Sequence, residues 1–130
     1  MTRAGTTNQS LVQSTDLFPT LVEIAGGDPS RYQHLDGVSL LSTIQQNSML
    51  QRNEPLFGYR AYEDLYASVR EGDWKLAAYR SGRKMLYNIR QDIGEKNDLS
   101  VQHPEIVDRL TTKLVAWEKD MKLEKYSGVQ

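Results

Sequence analysis

The chain has 130 residues, enough for one domain of the usual ~100–150 residues, or for one domain with a piece of its neighbour. Its apolar fraction is 38% with Tyr included, and counting the 9 Gly in place of the 7 Tyr gives roughly 39%, below the ~45–50% of soluble globular chains. The near-neutral balance of 16 Lys+Arg against 17 Asp+Glu, with a pI of 6.1, excludes the basic footprint of a nucleic-acid binder and a polybasic membrane anchor. There is no cysteine, so a disulfide framework, a thiolate metal site and a Cys nucleophile are also excluded. No apolar run approaches the ~20 residues of a membrane-spanning helix. The residues from Met1 to Asn8 have no hydrophobic stretch of the kind a signal peptide carries, so no export signal is expected in this stretch.

Residues 1–13 are small and polar and read as an extended arm or a frayed start. From Ser14 the pattern turns helical, with Leu17, Leu21, Ile24 and Ala25 recurring on one face. Asp16 is placed as the N-cap, its carboxylate accepting an N–H that has no partner inside the helix. Pro19 then falls in the first turn, where a missing N–H costs little, and Gly26-Gly27 supplies a left-handed end. The expectation is one helix of about three turns across residues 15–26. Asp28-Pro29 opens a loop, and Leu35-Asp36-Gly37-Val38-Ser39-Leu40-Leu41 places a turn before a short apolar run. Residues 42–53, rich in Gln, Asn and Ser, read as a linker or a weak helix.

Leu56-Phe57-Gly58-Tyr59 can begin a strand, and residues 60–65 mix aromatic and charged groups without a period. Three short runs follow: Tyr66-Ala67-Ser68-Val69-Arg70, then Trp74 to Tyr79, then Lys84 to Ile89. The turns Glu71-Gly72-Asp73 and Arg80-Ser81-Gly82-Arg83 separate them, which predicts an antiparallel meander. Trp74, Leu76 and Ala78 share one face, and Lys75, Ala77 and Tyr79 the other. The last element is a helix with Pro104 at its first position. Ile106, Val107, Leu110, Leu114, Trp117 and Met121 form its apolar stripe, which needs one face of the meander to cover it. The predicted class is therefore α+β: an antiparallel sheet of three to four strands under a C-terminal helix, across residues 54–126. Residues 1–53 hold one amphipathic helix and no sheet of their own. They read as the edge of something larger.

Chemistry is sparse along the chain. A metal site needs converging His and carboxylates, and the two histidines, His34 and His103, lie in separate segments without a His-x-x-x-His spacing. His103 before Pro104 reads as a helix cap or pre-cap, and His34 as a polar loop residue. There is no Gly-x-Ser-x-Gly elbow and no phosphate-cradling Gly-rich loop. The stretch Asp92 to Asp98 superficially resembles a calcium loop, but Ile93, Gly94 and Lys96 interrupt the alternating oxygen ligands, so it reads as a turn. Tyr59, Arg60, Tyr62 and Glu63 combine groups that bind polar or anionic ligands, Arg pairing with sulfate or carboxylate and Tyr stacking on a sugar. The competing reading is a surface loop with solvated side chains. Trp74 and Trp117 read as core partners between helix and sheet.

Taken in order, the motifs resemble the C-terminal part of a sulfatase, of the arylsulfatase-like family. The resemblance is carried by Ser14-Thr15-Asp16-Leu17-Phe18-Pro19-Thr20-Leu21, Ala25-Gly26 and Leu35-Asp36-Gly37-Val38-Ser39-Leu40-Leu41. It continues through the hairpin Val69-Arg70-Glu71-Gly72-Asp73-Trp74-Lys75-Leu76, then Leu86-Tyr87-Asn88-Ile89, Asp92-Ile93-Gly94-Glu95 and Asn97-Asp98-Leu99. Ile93 stands where the family usually has Pro, and Phe57-Gly58-Tyr59 where many members have Phe-Trp-His.

The resemblance implies a sulfuric ester hydrolase that works through a formylglycine and a divalent cation, usually calcium. It also implies that those groups belong to an upstream catalytic portion. The C/S-x-P-x-R motif that yields formylglycine is not in this sequence, and no catalytic residue, metal ligand or cofactor is expected within residues 1–130. Residues 1–53 would be the end of the catalytic domain. Residues 54–126 would be the C-terminal subdomain, with a structural and substrate-cleft-walling role and with Tyr59, Arg60 and Tyr62 as candidate substrate contacts. The expected partner is the catalytic domain itself, or a second copy through the helix at residues 15–26. The alternative is a stand-alone binding module built from this subdomain, which would bury that helix within its own chain. Members of the family are often periplasmic, secreted or lysosomal.

Overall fold

In a computed structural model that describes residues 4–60 and 66–123, contacts group the chain into two units, Met1–Asn53 and Glu54–Gln130.

The first unit is built around the helix expected at residues 15–26, with its bounds revised. A 3₁₀ turn at Ser14–Asp16 leads into α1, Leu17–Ile24, and a second 3₁₀ turn follows at Pro29–Arg31. Residues Leu41–Gln46, within the stretch read as linker or weak helix, form the short helix α2. Asn47 ends it in the left-handed conformation at φ 55°. The C-terminus of α1 closes as its glycines require. The Gly27 N–H donates to the Val22 carbonyl at 2.9 Å and the Gly26 N–H to the Glu23 carbonyl at 3.0 Å, with Gly26 at φ 79°. Such a paired closure needs a left-handed residue, cheapest as Gly.

Asp16 does not cap α1 through its side chain. Its carboxylate is fully buried and works over longer range. Oδ2 accepts from the Gln13 N–H at 2.8 Å and from the Arg52 guanidinium at 2.6 Å, while Oδ1 accepts from the Val38 N–H at 2.8 Å. Burial by itself raises the pKa of Asp16, but the Arg52 bond and the two backbone donors outweigh it and hold the carboxyl below the ordinary Asp value. One turn on, the Thr20 hydroxyl donates to the Asp16 carbonyl at 2.6 Å and accepts from the Leu40 N–H at 2.9 Å. Gly37 is needed in the same joint, because a Cβ there would lie 2.1 Å from the Thr15 carbonyl oxygen. The Asp36-Gly37-Val38 turn is thus pinned to the start of α1 by polar groups.

The second unit is a four-stranded antiparallel sheet in the order β1-β2-β3-β4, with β1 Leu56–Arg60, β2 Tyr66–Glu71, β3 Trp74–Tyr79 and β4 Lys84–Asn88. The register pairs Phe57 with Val69, Val69 with Leu76, and Leu76 with Leu86, so these residues share one face. Helix α3, Pro104–Asp120, lies on that face over β2 and β3. Val69, Leu76, Leu86, Leu110 and Leu114 have no exposed surface, and Ala67 and Ala78 complete the core. Burying each large aliphatic side chain there contributes ~1.5–3 kcal/mol. Met121 departs from the expected stripe. It caps α3 and is 53% exposed, while Glu118 is buried in the last helical turn. Trp74 and Trp117 both pack on the core, but with different rings. Trp117 stacks on Phe57 at 4.9 Å and 3°, and Trp74 meets His103 edge-on at 5.0 Å.

The opposite face of the sheet carries a smaller cluster of Ala77, Tyr87 and Ile89, with Tyr79 and Met85 against it. Burial pushes the Tyr87 phenol above its ordinary pKa, helped by the neighbouring Tyr79. The segment after β4 stitches itself to that strand. The Leu99 N–H donates to the Leu86 carbonyl at 2.8 Å, and the Asp98 carboxylate accepts from the Leu86 N–H at 3.0 Å.

Candidate functional site

Of the residues proposed as substrate contacts, the two that are described, Tyr59 and Arg60, are not presented together. Tyr59 and Arg60 are consecutive on β1, so they point to opposite faces of the sheet. Tyr59 lies on the α3 side, packed against the main core, and its hydroxyl is buried without a hydrogen-bond partner. Arg60 is exposed on the other face. Tyr62, with Glu63, lies outside the described residues. The sequence reading grouped the four as one set of ligand-binding groups. The period of two in a strand, continued one residue beyond Tyr59, is the signal that separates the first pair.

A groove of about 310 Å³ opens at the start of β1, lined by Glu54, Pro55, Phe57, Lys113, Ala116 and Trp117. Its floor is the Phe57–Trp117 stack. Lys113 is committed to Glu71, which also accepts from Arg109, so one carboxylate ties β2 to two successive turns of α3. These residues build a packed joint between strand and helix.

The groups needed for metal-assisted ester hydrolysis are not assembled among the described residues. No set of three or more His, Cys, Asp or Glu converges there. His34 is exposed in the first unit at φ 62°, and His103 is the N-cap residue of α3 in the second. In the Asp92–Asp98 stretch the carboxylates are committed to the protein's own donors, Glu95 to Lys75 and Asp98 in part to the Leu86 N–H. Asp92 accepts the Lys96 and Asn97 N–H groups, each at 2.7 Å, and Asp98 also takes the Ser100 N–H at 2.9 Å. For Asp92 the backbone bond from Asn97 is the main reason its pKa lies below the ordinary value. Asp98 is lowered too, its backbone bonds outweighing burial. These residues do not fit a calcium site or a formylglycine centre.

The most unusual surface lies on α1. Leu17, Leu21 and Ile24 are 57%, 63% and 58% exposed, with Phe18 beside them edge-on to Tyr32 at 5.2 Å. The side of the helix buried in its own unit is formed by Asp16, Pro19 and Thr20. The apolar stripe read from the sequence is real, but it faces outward.

No protein-family model matches the chain. It is 30% identical over 125 residues to a sulfatase from Formosa agariphila, covering 82% of this chain and 23% of the relative. It is likewise 30% identical over 121 residues to mouse arylsulfatase K, covering 81% of this chain and 21% of that protein. The chain thus spans less than a quarter of the length of these curated relatives. Among solved structures, Ps i-CgsB superposes with a TM-score of 0.72 at 27% identity, covering 83% of this chain and 24% of that one. BT4656, solved with its substrate D-glucosamine-2-N,6-O-disulfate, superposes over 99% of this chain and 28% of its own at TM-score 0.73, and at 17% identity it shows the fold alone. Two sequence relatives that share one family name, and a solved structure that superposes on this fold, lead to one assignment: the chain is a sulfatase homologue and corresponds to the C-terminal part of those proteins.

Proposed function

We propose that residues 1–130 form the C-terminal portion of a sulfuric ester hydrolase, with a structural and cleft-walling role, and do not hydrolyse sulfate esters alone. The observation that carries this reading is the outward apolar face of α1. Leu17, Phe18, Leu21 and Ile24 together form the kind of exposed apolar patch that marks a surface built to be covered. The coverage of less than a quarter of each curated relative supplies the candidate for what covers it, namely the larger catalytic portion. Formylglycine and calcium would reside in that portion. In the second unit, Arg60 at the end of β1 is the exposed member of the candidate substrate contacts and would stand at the rim of the cleft, with Tyr59 supporting the strand from behind.

The test is to read the coding sequence upstream of Met1, join it to this chain, and assay aryl sulfate hydrolysis with calcium. An in-frame C/S-x-P-x-R motif and turnover in the joined protein are expected. Leu21→Glu with Ile24→Glu should cut its soluble yield and activity, while leaving the isolated chain folded and more soluble. An upstream sequence without that motif would overturn the reading. So would a homodimer of the isolated chain, in sedimentation, that Leu21→Glu dissociates.

A further inference from the structure

The second candidate contact surface is the sheet face opposite α3. Val69 points into the core, so its neighbour Arg70 points to this other face. There it is directly opposite Lys75 on β3 and Leu56 on β1. Two like charges directly opposed across strands disfavour pairing unless an anion separates them. One carboxylate is supplied: Glu95 accepts from Lys75 at 2.6 Å. Arg70 receives none. It is half-buried, its Nε–H is buried without an acceptor, and among the described residues it forms no ion pair. A buried N–H given no hydrogen-bond acceptor costs folding free energy, which an acceptor placed beside it would recover.

We infer that Arg70 is a docking cation that receives a carboxylate from the polypeptide outside residues 1–130, seated against the sheet face shared with Lys75. The occupant is the larger catalytic portion rather than a second copy of this chain. The chain spans less than a quarter of its curated relatives, which supplies the larger portion as occupant, and a second copy would bring its own Arg70 as a like charge. The inference rests on the sulfatase reading for the identity of the partner. The missing acceptor at Arg70 Nε among the described residues stands independently of it.

The experiment therefore has arms that separate the two. In the isolated chain, Arg70→Met should raise the thermal midpoint of the second unit by a few degrees, because it removes the unsatisfied buried N–H and keeps the aliphatic length. A lowered midpoint would show that Arg70 is already paired and would overturn the proposal. In the same chain, the Arg70 Nε–H resonance is followed while acetate replaces chloride at constant ionic strength, with sulfate in a parallel titration. A saturable shift with acetate is expected, lost in Arg70→Met. No shift, or a shift with sulfate only, would overturn the assignment to a protein carboxylate. In the polypeptide extended upstream, Arg70→Met should instead lower the midpoint, and a rise there would overturn the docking role. Failure of the sulfatase reading removes this last arm alone, and the first two still decide the state of Arg70.

Discussion

Replacing Asp16 by Ala should unfold the first unit while leaving the sheet and α3 intact. The substitution strands three donors at once: the Arg52 guanidinium, whose side chain is 8% exposed, and the backbone N–H groups of Gln13 and Val38. Breaking a buried ion pair by removing one partner costs ~3–5 kcal/mol. The orphaned N–H groups overlap with that figure rather than adding to it in full, since all three share one carboxylate. The unit has little to set against such a loss, because the fully buried part of α1 is Pro19 and Thr20 and its apolar residues face outward. Asp16→Asn keeps an acceptor for Val38 but removes the charge, and should cost ~1.5–3 kcal/mol. The assay is a urea titration followed by residue-resolved ¹H–¹⁵N spectra, with Thr20 and Val38 reporting the first unit and Leu76 and Leu110 the second. Loss of the first pair of signals in Asp16→Ala at zero denaturant, with the second pair unmoved, is the expected result. Retention of the Val38 signal within ~0.5 kcal/mol of wild-type stability, the scatter of an ordinary surface change, would show that the carboxylate does not hold this joint.

The same group predicts a pH dependence. Because the folded pKa of Asp16 is depressed, its contribution is fully present above the unfolded value of ~3.9 and is lost as pH falls through the folded value. Acid titration of the Val38 signal should therefore show loss of the first unit below about pH 4, with a flatter acid limb in Asp16→Asn. Leu114→Ala, at a position with no exposed surface beneath α3, should lower the stability of the second unit by ~2–5 kcal/mol in urea melts. Glu71→Gln weakens two partly exposed ion pairs to Arg109 and Lys113. It should cost only ~0.5–1 kcal/mol, and the deficit should shrink as salt is raised. Tyr59→Phe removes a buried hydroxyl that has no partner, so the thermal midpoint of the isolated chain should hold or rise.

The parts legible in the sequence were those whose determinants are local. Alternation set Trp74, Leu76 and Ala78 on one sheet face without saying that this is the face under the helix, and spacing from Ile106 to Trp117 set the helix face that meets it. Asp16 was misassigned as a side-chain cap of α1 because its carboxylate serves the Gln13 N–H behind it and two remote donors instead. Val38 is 22 residues away and Arg52 is 36, and a lone Asp before a helix looks the same whichever donor it serves. The outward face of α1 was expected from the resemblance and not from its periodicity. Periodicity shows that Leu17, Leu21 and Ile24 share a face, but it does not say whether the surface they cover lies within the chain. The candidate contacts Tyr59 and Arg60 were grouped by adjacency, where a strand separates neighbours by turning each to the opposite side. The carboxylate-rich stretch from Asp92 to Asp98 was correctly read as a turn, since the Asp92 carboxylate bonds the backbone N–H groups four and five residues on.

The account stands most directly on the catalytic competence of these 130 residues alone. The purified chain should be assayed against an aryl sulfate with and without calcium, beside its Arg60→Ala and His34→Ala variants. Turnover indistinguishable from buffer in all samples is the predicted result. Calcium-dependent hydrolysis that either substitution abolishes would contradict it, and would place a complete active site within the chain.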